Sequence, residues 1–77
     1  MAGYVKEARG WAENVEHYAQ YGRRGSALHQ AEFALGQINE ALRKAASRGK
    51  HDEVAQIQVI IRNLMPRMEE ARLRDQA

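Results

Sequence analysis

The chain has 77 residues, no cysteine, and a formal net charge of +2 from twelve Lys and Arg against ten Asp and Glu. A domain of this size buries only about 60% of its unfolded-chain surface, and without cysteine neither a disulfide nor a thiolate metal site supplements the core. These facts exclude several domains and a disulfide scaffold, and leave helix packing, a bound partner or self-association as sources of stability. The start, Met1-Ala2-Gly3-Tyr4-Val5-Lys6-Glu7, carries no apolar signal region. No stretch approaches the roughly 18 apolar residues of a membrane span. The expectation is a soluble cytoplasmic protein.

A first helix is expected from about Gly3 to Tyr21. At about 100° per residue, Tyr4, Trp11, Val15 and Tyr18 form one row, flanked by Val5, Ala8, Ala12 and Ala19. Trp11 with Lys6 and Arg9 nearby would suit a membrane interface. Glu7, Glu13 and Glu16 oppose anionic lipid, however, and the bundle needs the aromatics, so no membrane role is expected. Gly22 and Gly25 bracket Arg23-Arg24 in a loop, with Gly22 placed as a left-handed residue after the helix and Ser26 as the N-cap of the next.

The second helix, about Ala27 to Arg48, carries the heptad seam Leu28, Ala31, Leu35, Ile38, Leu42, Ala45, with Ala27, Ala34 and Ala41 beside it. Gly49 reads as its stop, and Arg43, Lys44 and Arg48 sit near its negative end. The third helix, about 53 to 73 with Asp52 as cap and Glu53 in the first turn, carries the matching seam Val54, Ile57, Ile61, Leu64, Met68, Ala71. Ile60 and Met65 widen it. Pro66 lies inside this pattern and points outward, which favours a kink over a stop.

Two such seams across one short break define an antiparallel hairpin. Each apolar stripe is broader than about 100°, as for a helix that touches two others, and short loops make sequential helices antiparallel. The fold class is therefore all-α: one domain, residues 1–77, forming an up-down-up three-helix bundle built on the hairpin. The second and third helices would each be about 30 Å long.

Three positions fall off the stripes. Phe33 lies nearly opposite the leucine seam, Gly36 shares that outer half, and Val59, with Ala55, lies on the outer side of the third helix. Scattered surface hydrophobes are ordinary. The alternative is a second contact surface, in which Phe33 and Val59 meet another chain and Gly36 permits close approach.

Chemistry is sparse. Glu13 with His17, and His29 with Glu32, are the only metal half-sites to be drawn, and both lie on polar faces, so no metal or cofactor is expected. Ser26 and Ser47 fall at helix ends, where capping explains them. Tyr4, Tyr18 and Tyr21 read as packing residues. No glycine-rich strand-to-helix turn cradles a phosphate. Neither an enzyme nor a small-molecule substrate is indicated.

Basic residues gather at two ends: Arg43, Lys44, Arg48 and Lys50 around the second turn, and Arg23, Arg24, Arg67, Arg72 and Arg74 opposite. Acids between them interrupt a phosphate track, and positive residues at helix C-termini answer the helix dipole. From Ala31 to Ala71, a hairpin with small apolar residues and a basic Arg-Gly turn resembles the small co-chaperones of type III secretion needle subunits. That resemblance implies a co-chaperone for a protein partner. The first function expected is a helical interaction or self-association module using Phe33, Gly36 and Val59. The alternatives are a nucleic-acid accessory protein working through Arg43, Lys44, Arg48 and Lys50, and the co-chaperone.

Overall fold

The computed structural model describes residues 3–22 and 26–76, Arg74 by its backbone alone. It contains three helices, α1 (Tyr4–Tyr21), α2 (Ala27–Ser47) and α3 (His51–Gln76), each packed on the other two. Glu53 at the start of α3 touches Val5 at the start of α1, and Arg67 late in α3 reaches Glu16 late in α1. The two helices therefore run parallel with α2 antiparallel to both, which is the expected all-α bundle. It is a rod of 42 × 18 × 16 Å, and α3, at 26 residues, spans about 39 Å of its length.

The turn between α2 and α3 explains why α3 begins earlier than expected. Gly49 has φ 71°, the left-handed conformation that favours glycine. Lys50 N–H donates to the Ala45 carbonyl at 2.9 Å and Gly49 N–H to that of Ala46 at 3.1 Å, the paired bonds of a Schellman motif. This closes α2 so tightly that Lys50 already caps α3, its carbonyl accepting from Val54 N–H at 3.0 Å. Asp52 is thus not the cap. It lies with Glu53 in the first turn, where its charge favours the positive helix end. At its other end α3 continues past 73 to Gln76, and it passes through Pro66 without stopping.

Gly22 is also corrected. It is extended (φ −64°, ψ 148°), not left-handed. Its N–H donates to the Tyr18 carbonyl at 2.8 Å. A Cβ there would overlap that carbonyl oxygen and come within 2.7 Å of the Ala27 Cβ. Close approach, not handedness, calls for glycine. Ser26 does occupy the N-cap of α2, its carbonyl accepting from Gln30 N–H at 3.0 Å, but it makes no side-chain cap hydrogen bond.

The faces are rotated from the expected seams. Ala27, Ala31, Ala34, Ile38, Ala41 and Ala45 are the buried residues of α2, while Leu28, Leu35 and Leu42 pack half-buried on one flank. In α1 the buried line is Val5, Ala8, Val15 and Ala19, with Tyr4, Trp11 and Tyr18 on the flank. In α3 Ile57, Leu64 and Ala71 go deepest, and Val54, Ile61 and Met68 are half-buried. A helix squeezed between two neighbours puts its smallest side chains where backbones come closest, and leucine beside them covers the joint. Eight of the thirteen buried hydrophobic residues are alanine. The interior therefore gains little from bulk, because burying a large aliphatic side chain contributes about 1.5–3 kcal/mol and alanine much less.

Candidate functional site

The end of the bundle where α1 and α3 begin carries an open cleft of about 880 Å³. Sequence and cap geometry explain its walls. α1 starts at Gly3, which offers no capping side chain, and Glu53 supplies the missing acceptor from α3: Val5 N–H donates to Glu53 Oε1 at 3.1 Å. An added Cβ on Gly3 would sit 2.8 Å from that oxygen, so the flexible end of the Glu53 side chain would have to shift to admit it. The Schellman turn brings Arg48 and Lys50 to the same end. Lys6, one turn into α1, with Tyr4 and Glu7, completes the cleft.

Among the described residues, Lys6, Arg48 and Lys50 form no ion pair, whereas Arg43, Arg67 and Arg72 do. Arg43 meets Glu40 at 2.5 Å, Arg67 meets Glu70 at 2.6 Å and Glu16 at 3.8 Å, and Arg72 pairs with Glu69. The Arg43 guanidinium, by hydrogen bond and charge, with Lys44 adding to it, holds the Glu40 carboxyl below the usual glutamate range. The four basic residues expected to act together thus divide. Arg48 and Lys50 join the cleft, while Arg43 and Lys44 stand outside its lining, Arg43 already compensated by Glu40. At the opposite end, Arg23 and Arg24 lie outside the described residues.

The candidate interface residues divide as well. Phe33 is 59% exposed, its ring edge-on to Trp11 at 5.8 Å and 75°, so it closes the outer rim of the α1–α2 joint. Gly36, one turn on, has open space where a Cβ would go: among the described residues no neighbouring side chain or other element comes within 4 Å of it. Val59, 46% exposed, lies two residues from fully buried Ile57 and so on the opposite, outer side of α3. Phe33 and Val59 therefore face different directions. Met65, expected to widen the core seam, is instead 54% exposed, whereas Ile60 does pack against the core, and Leu73, not singled out by the sequence reading, is a further large exposed residue of α3. Leu73 was recoverable: it stands fourteen residues after Val59, two heptads on and hence on the same face.

His17 stacks at the surface, edge-on to Tyr18 at 5.7 Å and tilted on Tyr21 at 5.3 Å. His29 and Glu32 are exposed. Among the described residues no three His, Asp or Glu side chains converge on a common point. Ser47 Oγ–H donates to the Lys44 carbonyl at 3.0 Å, closing the last turn of α2. Among the described residues no helix is long and apolar enough to cross a membrane. The chain matches no family model, no curated protein and no solved structure. What the geometry offers is binding by charge at one end and by apolar contact along the sides.

Proposed function

We propose that the chain is a small helical module that works by association, with another protein or with itself, and carries no chemistry of its own. One observation supports this best: several large apolar side chains stay outside a core made mostly of small ones. Alanine fills most of the interior while Phe33, Val59, Met65 and Leu73 stay 46–59% exposed. Large apolar side chains left outside a thin core mark interaction surfaces, and helix faces of this kind dock other helices. The setting we propose is the cytoplasm, in keeping with a cysteine-free composition. A co-chaperone would be the narrower case in which the partner is a helical export substrate.

The test is solution mass by light scattering from micromolar to millimolar concentration, paired with Phe33→Ser and Val59→Ser. The expected result is association that weakens in one or both variants while far-UV circular dichroism and melting stay unchanged. A parent of one-chain mass throughout would remove self-association. Loss of fold in both variants would assign these residues to stability and overturn the reading.

A second reading follows from the three unpaired cations at the cleft. Lys6, Arg48 and Lys50 would attract an acidic partner, nucleic acid included, though Glu7 and Glu53 in the same walls keep the patch short. Binding of a single-stranded oligonucleotide that falls with added salt, and falls further in Arg48→Ala with Lys50→Ala, is the expected sign. No binding at low ionic strength would remove this reading.

A further inference from the structure

We infer that the outer face of α3 pairs antiparallel with the same face of a second copy of this chain, about a two-fold axis at Pro66. This rests on the association reading above and names its surface and partner. Val59, Pro66 and Leu73 recur every seven residues, all exposed, so they lie along one line with a drift of only about 20° per heptad. The line points away from the core, because Ile57, Leu64 and Ala71 occupy the buried side.

Its flanks carry charge. Arg62 and Glu69, also seven apart, border one side of the row, and Asn63 and Glu70 the other. When two copies cross antiparallel with Pro66 on the axis, Val59 of each copy falls level with Leu73 of the other. Flank positions on the same side then meet across the interface, so Arg62 faces Glu69 of the second copy, and the symmetry makes that pair twice. Among the described residues Arg62 has no ion pair within its own chain, whereas Glu69 is already paired with Arg72 of its own chain, so Arg62 of the second copy would share that carboxylate with Arg72. In a parallel arrangement opposite flanks would meet, setting Arg62 against the uncharged Asn63 and Glu69 against Glu70, so the arginine would gain no partner and the two acids would repel. Charge therefore selects both the partner, a second copy, and its direction. At the axis Pro66 presents only its apolar ring to the second copy.

Charge reversal tests this with a built-in rescue. Arg62→Glu and Glu69→Arg are each expected to weaken the dimer by about tenfold or more, since each places like charges at both pairs. Mixed one to one, the two variants restore opposite charges at both pairs, so a heterodimer of near-parent affinity is expected by sedimentation velocity. Circular dichroism establishes that both variants fold. A parent dimer that survives both reversals would overturn the assignment to α3 and leave association through another face, for which Phe33→Ser is the discriminating variant. A parent that stays monomeric at millimolar concentration overturns this inference, as does a pair of variants that fail to recover on mixing.

Discussion

Where α1 and α3 begin, the bundle is closed by backbone hydrogen bonds and one carboxylate: the Schellman turn at Gly49, and Glu53 capping α1 across 48 residues of sequence. Where they end, it is closed by close contact at Gly22 and by ion pairs, with Arg67 between Glu16 and Glu70 and Arg72 on Glu69. The first end satisfies helix-terminal groups internally and leaves Lys6, Arg48 and Lys50 uncompensated. Among the described residues of the second end, Arg67 and Arg72 are held by neighbouring carboxylates. An end held by backbone geometry tolerates salt, and one held by exposed ion pairs is screened by it. The lesson is that basic residues are not interchangeable: a cation already held by a carboxylate is less available to a ligand than one that is not.

The largest break in this comparison is expected at the two glycines. Gly22→Ala should cost about 2–3 kcal/mol, because the new Cβ meets backbone that cannot step aside. Gly49→Ala should cost about 1 kcal/mol, the ordinary penalty for a left-handed non-glycine residue. Urea unfolding of the two variants checks the order, and a Gly49 variant less stable than the Gly22 variant would contradict the assigned roles. Next comes Glu53→Ala, expected to cost about 1 kcal/mol through loss of the α1 cap, with little change when salt is raised. A cost that vanishes at high salt would make Glu53 a surface charge and not a cap. The smallest effect is that of Glu40. Its carboxyl is held below the usual range when folded, so its contribution is present above the ordinary glutamate pKa and lost as pH falls through the lowered folded value. Arg43→Ala should therefore separate from the parent in thermal midpoint near neutrality and converge with it in acid. A constant gap across that range would assign Arg43 another role.

Much of the architecture was legible because helix periodicity and punctuation are local. Three helices, their order and the stop at Gly49 follow from spacing and from a residue type whose conformation is special. The rotation of α2 was not, since hydrophobicity ranks leucine above alanine whereas the tightest helix joints favour the smaller residue. Gly22 was read as a conformational glycine because its neighbour Ala27 is five residues on and the contact appears only once the chain turns back. Of the candidate site, Arg48 and Lys50 could be placed from sequence. The up-down-up order also sets the start of α1 beside the α2–α3 turn, but which of its side chains, Lys6 and Tyr4 among them, line the cleft depends on the rotation of α1, which the sequence did not show. Arg43 looked equivalent to its neighbours until Glu40, three residues earlier, was seen to hold it.

The Glu53–Val5 hydrogen bond also carries a consequence for the order of assembly. α2 and α3 are joined by a tight turn and can pair through short loops, whereas the first turn of α1 obtains its acceptor only after α3 has formed and lies beside it. Closing so long a segment is entropically slower than closing the hairpin. The Val5 amide is thus a natural clock: its protection from hydrogen exchange reports the moment at which the third helix takes its place beside the first.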